Sequence, residues 1–485
     1  MTNTFSTWIC AWAQETNASL AGARVYISPD SLAKADPTLP LRMAEWGLVP
    51  TDKREAADFL YPELPAHENL TGAQMLARAE KGMSVSAALA NQIAKSGKLR
   101  GMSIALSLIV EPKTAVLVER LAAAGANVGV YCHAHECDQR VADELAARGH
   151  IIEANSTWTP AQEHEGALRL MDRLKPDLII DDGANFARLL VMERPELVAN
   201  VRGIAEETTS GVRAFQAMAD EGELPFPVIA VNDSALKTCF DNRHGTGETC
   251  VSTTMELLGP DALSSPDVSV CVIGYGPVGE GFARRVRALG ARVAIVETDP
   301  VKALEARFAG FEVATQSDVL HDADVVVSAT GVRHTLALDA LQTLREGAAV
   351  VVIGGIQNEI ALDEVIQTGG SLRPEKDKRI FSLALPNGRR LRLLAAGDGV
   401  NYAAGPGNPI QIMDLSFAVQ LCAVDRIVSG DKLPVGVHRL GPDTDRRIAS
   451  LALAARGISI DVEQQEKPLV PDWRVTHYSD AITQE

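Results

Sequence analysis

Positive charge is scarce in this sequence. Its 46 lysines and arginines face 63 aspartates and glutamates, a formal net charge of −17. That balance argues against a large phosphate-binding surface, so no nucleic-acid partner is expected. Long apolar runs are missing too. None reaches the roughly 18 residues that a membrane-spanning helix needs, and no membrane partner is expected. Met1 to Glu15 lack the basic start and apolar block of a secretory signal. Seven cysteines (Cys10, Cys132, Cys137, Cys239, Cys250, Cys271, Cys422) are too scattered along 485 residues for a disulfide framework. They fit reduced thiols and a cytoplasmic location.

What is present is a steady alternation of short β-branched runs with Ala/Leu/Arg-rich helical stretches. The length exceeds one compact core. The expected fold is α/β: two doubly wound, Rossmann-like domains with mainly parallel sheets, plus a small C-terminal tail. One series places strands at 102–108, 127–132, 151–153, 177–181 and 228–231, with helices such as 114–124 and 139–148 between them. A second series begins at Val268. The expected division is a substrate domain of residues 1–235 completed by 408–440, a cofactor domain of 245–405, and a tail of 441–485. Crossings near 236–246 and 404–409 would act as hinges. The first hundred residues are less regular, with prolines at 29, 37, 40, 50, 62 and 65, and Trp8, Trp12 and Trp46 read as packing anchors.

The stretch "VCVIGYGPVGEG" sets Gly274, Gly276 and Gly279 as GxGxxG after a strand and at the start of a helix. The first glycine permits a tight turn, the second a close approach to pyrophosphate, and the third close helix–strand packing. Glu297 ends the next strand, where an acid accepts from ribose hydroxyls and repels a 2′-phosphate. NAD is therefore expected rather than NADP. Pro277 and Glu280 add no positive charge, which leaves phosphate binding to backbone amides.

From about Leu99 onward the chain resembles the adenosylhomocysteinase (S-adenosylhomocysteine hydrolase) family. The resemblance rests on "DDGANF" (181–186), "RGIAEETTSGV" (202–212), "VNDSALKTCFDN" (231–242), "GYGPVGEG" (274–281), "VETDPVKALEA" (296–306), "VNYAAGPGNP" (400–409), "PVGVHRL" (434–440) and the closing "HY" (477–478). It implies a bound NAD that oxidises the 3′ carbon of a nucleoside, acidifies the 4′ hydrogen, lets a 5′ group leave and is regenerated. It implies catalytic roles for Glu207 at the ribose hydroxyls, for Lys237 and Asp241 at the 3′ hydroxyl, and for Asp182 near C4′ and C5′. Lys237 is expected to have a lowered pKa so that it can relay a proton. Thr208, Thr209, Asn232, Glu111, Lys113, His133 and Asn408 are placed at the substrate. Pro277, Val278, Thr330, Asn242 and Asn401 are placed at the cofactor. Alone, Glu206–Glu207 would read as a solvated pair of acids at a helix start and Lys237 as a surface lysine.

The departures gather in the other half of the cycle. Where the family carries histidines that serve the 5′ step, the chain has Ile109, in "SLIVEPKT", and Gly355, in "VIGGIQNE"; the hinge histidine is Asn408, in "GNP". The family's adenine-reading threonine and glutamate become Glu111 and Lys113. Its cysteine and arginine after the Asp-Asn pair become Thr246 and Gly247. Loss of three imidazoles from one pocket, with the oxidation set intact, points to a repurposed enzyme.

"YCHAHEC" (131–137) has the residue types of a metal site, but neighbouring residues on a strand point apart and no second cluster accompanies it, so no metal is expected. The resemblance puts His133 near the 5′ substituent, either as a local acid or as a solvent-facing loop histidine. It also matches Arg474 and Tyr478 to tail residues that reach a neighbouring subunit's cofactor, which implies a homo-oligomer, a tetramer in the family. The leading expectation is a dehydratase or lyase that forms a 4′,5′-unsaturated nucleoside, of the nucleoside-antibiotic type. The alternatives are genuine adenosylhomocysteine hydrolysis, a sugar epimerisation through the same 4′ carbanion, and an NAD-binding regulatory paralogue without catalysis.

Overall fold

The computed structural model describes residues 5–430 and 432–461. Among these the strands form three sheets. The seven-stranded sheet is parallel throughout, with Leu178–Asp181 and Ser103–Ser107 adjacent at its centre. From Ser103–Ser107 the chain winds outward through Asn127–Tyr131 to Ile151–Glu153. From Leu178–Asp181 it winds the other way through Gly203–Glu206 and Pro227–Ala230 to Gly436–His438. The order therefore reverses between the central pair, where a crevice opens at the carboxyl ends of the strands. The central residues are buried on both faces, the signature of a sheet covered by helices on each side.

Strand Gly203–Glu206 was not legible as a strand, because only Ile204 and Ala205 are apolar and the run ends in acids. The edge strand Gly436–His438 escaped for the same reason of brevity. The helix expected over 444–456 is observed as Pro442–Ala455.

The eight-stranded sheet holds Ser269–Ile273 between Arg292–Val296 and Val325–Ser328, all parallel. It continues through Ala349–Val352 and Arg390–Leu394, then ends in two antiparallel strands, Ile380–Ala384 and Ser371–Pro374. Its order reverses between Ser269–Ile273 and Val325–Ser328. The chain thus has the expected α/β architecture with mainly parallel sheets.

The N-terminal segment departs from the expected division. Helix Phe5–Thr16 and a three-stranded parallel sheet (Arg24–Ile27, Val49–Thr51, Phe59–Tyr61) bury Trp8 and Trp46. Their core is continuous with Cys250, Val251, Val270 and Phe282 of the cofactor domain. Residues 5–61 therefore share their apolar core with the second domain, and reach the rest of 1–235 through polar contacts such as Arg78 to the Glu15 carbonyl (2.9 Å) and Lys113 to Asn17. Within the segment Trp8 meets Phe59 edge-on and Phe5 meets Trp46 likewise, and the Arg285 guanidinium of the cofactor domain lies over the Trp46 ring.

The first crossing between domains is helical. Lys237–Thr246 forms a wide π-type helix that runs straight into Gly247–Leu258. Gly247 and Gly281 allow its close approach to helix Pro277–Leu289: a Cβ on Gly247 would lie 2.7 Å from the Gly281 carbonyl carbon. An arginine at 247 has no room. After the second crossing the chain enters the 19-residue helix Ile410–Val428, which is buried along most of its length.

Candidate active site

The first switch point opens on a cleft of about 820 Å³, which Val278 of the glycine-rich turn and residues 353–357 line from the other sheet. The wide helix lies at its floor. With i→i+5 bonding, residues i+4 and i+5 straddle residue i. Lys237 accordingly meets both Asp241 (Nζ–Oδ2 3.1 Å) and Asn242 (Nζ–Oδ1 2.9 Å). The Glu207 carboxylate lies 4.0 Å from the same ammonium. Burial disfavours the charge on Lys237, but the Asp241 and Glu207 carboxylates outweigh it and hold its pKa above the ordinary value. The lowered pKa expected from the sequence is thus corrected. In this state Lys237 is a firm cation and donor.

Asp241 collects donors from three elements: Lys237, the Ser416 hydroxyl at 2.8 Å and the Asn408 amide. Burial pushes Glu207 up to about 7, with Lys237 pulling back and Asp241 adding to the rise. One Glu207 oxygen accepts from Gln420; the other is buried and has no hydrogen-bond donor among the described residues. A buried acceptor of this kind suits a ligand hydroxyl. Asp182 and Thr208 stand at the same wall. Burial raises the Asp182 carboxyl, while Lys237, the Thr208 hydroxyl and His133 draw it down.

Behind this wall two further acids shape the loops. Glu206 accepts from the amides of Gly183 (3.0 Å), Ala184 (3.1 Å) and Thr208 (2.8 Å). A Cβ on Gly211 would sit 2.2 Å from that carboxylate, so the glycine is required there. Asp181 accepts from Asp182, Phe186 and Ala187 amides. Asn232 does not line the cleft. Its oxygen accepts from Thr209 and Asn242, each at 3.1 Å, so it braces them. Of these three, Thr209 and Asn242 reach the cleft.

At another wall Glu111 lines the cleft and Lys113 does not. Lys113 is buried behind it, ion-paired to Glu111 and donating to Asn17 (2.7 Å) and to the Pro406 carbonyl (3.0 Å). The direct substrate contact expected of Lys113 is therefore replaced by support of Glu111, and the N-terminal segment takes part through Asn17. Ile109 lines the cleft as well. So do His133 and His135, whose rings stack at 5.9 Å, together with Glu136, Glu163 and Asp398. Burial and the nearby Asp182 and Asp398 push Glu136 up to about 8.

The second switch point is shaped for a dinucleotide. A Cβ on Gly279 would collide with the Gly274 carbonyl oxygen at 2.0 Å, while one on Gly276 would meet nothing within 4 Å. Gly279 thus serves packing, and Gly276 leaves space at the N-terminus of helix Pro277–Leu289 for a pyrophosphate. Glu297 is oriented by the amides of Tyr275 (2.7 Å), Thr298 (2.7 Å) and Asp299 (3.0 Å). Thr330 is fixed by the buried Glu359, which accepts from its amide at 2.8 Å and from the Ser328 hydroxyl at 2.6 Å. Val278 and Asn401 face the cleft. These residues fit NAD.

Comparison with known proteins agrees. The S-adenosyl-L-homocysteine hydrolase family pattern matches residues 66–195, and that of its NAD binding domain matches residues 260–407. An S-inosyl-L-homocysteine hydrolase of Methanopyrus kandleri is 34% identical over 83% of this chain and 95% of its own. An adenosylhomocysteinase of Thermotoga maritima is 35% identical over 80% and 95%, and an S-inosyl-L-homocysteine hydrolase of Methanosarcina mazei 38% over 79% and 92%.

The chain belongs to the S-adenosyl-L-homocysteine hydrolase family. It is an NAD-dependent enzyme of the adenosylhomocysteinase type and acts on a nucleoside-type small molecule.

For a hydrolase-family chain, the cleft is unusual in what stands at the altered positions. Asn408, expected at the substrate, is buried and does not line the cleft; it donates to Asp241 and Thr246 and accepts from Asn401 (2.9 Å) and Thr249 (3.1 Å), so it braces the floor from behind. Ile109 and Gly355 leave an apolar side chain and an open backbone where the family places imidazoles. Sequence reasoning passed over Glu136, Glu163, Asp398 and Gln420. Glu163 lies 30 residues from His133, and Asp398 comes from the other domain, so no local spacing could reveal them. Arg474 and Tyr478 lie outside the described residues. No described helix is long and apolar enough to cross a membrane.

Proposed function

We propose that the chain cleaves the 5′ bond of a purine nucleoside by way of a 3′-ketone, and that water then adds at C5′ to complete a hydrolysis. The observation that carries the reading is the Lys237–Asp241–Glu207 group at the floor of a cleft that Val278 of the GxGxxG turn also lines. Bound NAD supplies reversible oxidation of a secondary alcohol, which makes the neighbouring C–H acidic.

The chain's own residues divide the remaining work. The Glu207 oxygen that has no hydrogen-bond donor among the described residues accepts a ribose hydroxyl. Lys237, held charged by Asp241, donates to the 3′ oxygen and stabilises negative charge on it as the 4′ proton leaves. Asp182, on the adjacent wall, takes the role near C4′ and C5′. Glu111, with Lys113 behind it, presents an acceptor to an N–H of the base. Adenine and hypoxanthine both offer one, and relatives are named for each nucleoside.

The hydrolase names of the relatives and the histidines in the cleft support completion by water. A second reading, a lyase that stops at the 4′,5′-unsaturated nucleoside, is favoured by Ile109, which cannot exchange a proton. Product analysis after incubation with S-adenosylhomocysteine and with S-inosylhomocysteine separates them. The proposal expects homocysteine and the intact nucleoside. Homocysteine with a nucleoside lighter by one water would establish the lyase reading instead.

A further inference from the structure

Ile109 and Gly355 bring no proton-exchanging side chain to the cleft, yet an imidazole lines it. His133 follows strand Asn127–Tyr131 and is about one-third exposed. Its Nδ1 lies 3.0 Å from Oε2 of Glu163. Glu163 sits in the first turn of helix Pro160–Leu174, where the helix dipole favours a carboxylate. Its second oxygen accepts the Ala134 amide at 2.7 Å. Burial opposes the charge on Glu163, but the His133 hydrogen bond and the Ala134 amide outweigh it and keep the carboxyl below its usual range.

An ionised carboxylate makes Nδ1 the donor and fixes the tautomer, which leaves Nε2 for proton exchange. The ring hydrogen bonds of His133 among the described residues all use Nδ1, the weaker one at 3.4 Å from the Tyr131 hydroxyl. His135 stacks on the ring, and Asp182, Glu136 and Asp398 are the remaining titratable groups of this part of the cleft.

We propose that His133, oriented by Glu163, is the proton-transfer group for the 5′ side of the reaction. This rests on the reading above. In the elimination, the C4′ carbanion's electron pair forms the C4′–C5′ double bond and the C5′–S bond breaks. The departing sulfur keeps the bonding pair and receives the proton from the His133 imidazolium, leaving as a thiol. In the return direction neutral His133 takes a proton from water as its oxygen bonds to C5′, and C4′ regains a proton. The two electrons taken at C3′ are returned there, so no outside oxidant is required. His133 is the catalytic residue and Glu163 the positioning residue.

The test uses the NAD-loaded full chain with S-adenosylhomocysteine and with S-inosylhomocysteine. Three signals are followed: absorbance near about 340 nm, deuterium uptake at C4′, and thiol release. His133→Asn should keep the first two and lose thiol release by about 10²–10⁴-fold, the usual range for general acid–base catalysis. Glu163→Gln should lower release less, and move the pH profile of release without altering C4′ exchange. Thiol release within about threefold of wild type in His133→Asn overturns the proposal, as does parallel loss of all three signals with the fold intact. If the wild type itself gives neither absorbance change nor C4′ exchange, it is the underlying reading that fails.

Discussion

Asn408, on the second crossing between the domains, donates to Asp241, on the first. The same side chain accepts from Asn401 and Thr249, so one amide ties both crossings to the ribose floor. Asn408→Leu would strand Asp241, Thr246 and Asn401 with unmet hydrogen bonds in a buried site. We expect a loss of roughly 2 kcal/mol or more in urea unfolding, within the range for buried polar groups deprived of a partner. Asn408→His, which retains donors, should cost less.

The glycines of the cofactor loop separate packing from binding. The Cβ of Gly276→Val meets nothing within 4 Å, so the variant should keep its fold while losing NAD-induced thermal stabilisation. Gly279→Ala forces a Cβ against the Gly274 carbonyl and should destabilise the apoprotein itself. Thermal melts with and without NAD distinguish the two.

Glu207 makes stability depend on pH. Its carboxyl is raised from 4.5 to about 7 in the folded chain. Between these values the unfolded chain releases the proton and the folded chain holds it, so this contribution is intact below about 4.5 and fades as pH rises through about 7. Glu207→Gln should remove that slope. The variant should gain roughly 1–2 kcal/mol, or about 2–4 °C, over the wild type at pH 8 relative to pH 5. An unchanged difference would place the titration elsewhere.

Glu136 predicts a limb in activity. Above about 8 it adds a negative charge beside Asp182, Asp398 and Glu163. The rate at low substrate should fall as pH rises through that value, and Glu136→Gln, which mimics the protonated acid, should lack the fall. Rate–pH profiles from 6 to 10 check this.

Much of the architecture was legible because both domains announce themselves by buried β-branched runs and one glycine-rich turn. Lys237, Asp241 and Glu207 were legible only as a set, since each alone reads as a solvated charge. Three things were hidden. The N-terminal segment shares an apolar core with the cofactor domain and places Trp46 under Arg285, contacts that no periodicity specifies. Lys113 is withdrawn behind Glu111 by Asn17, a partner 96 residues away. The direction of the Lys237 shift depends on two carboxylates outweighing burial, a balance set by distances and not by residue type.

The central claim is reversible oxidation of a nucleoside at the Lys237 floor, and it has a direct optical test. Wild-type protein loaded with NAD should develop absorbance near about 340 nm on mixing with S-adenosylhomocysteine or S-inosylhomocysteine. Lys237→Ala should bind NAD equally well and develop none. A wild-type protein that binds both NAD and nucleoside without that signal, or a Lys237→Ala variant that retains it, would contradict the account.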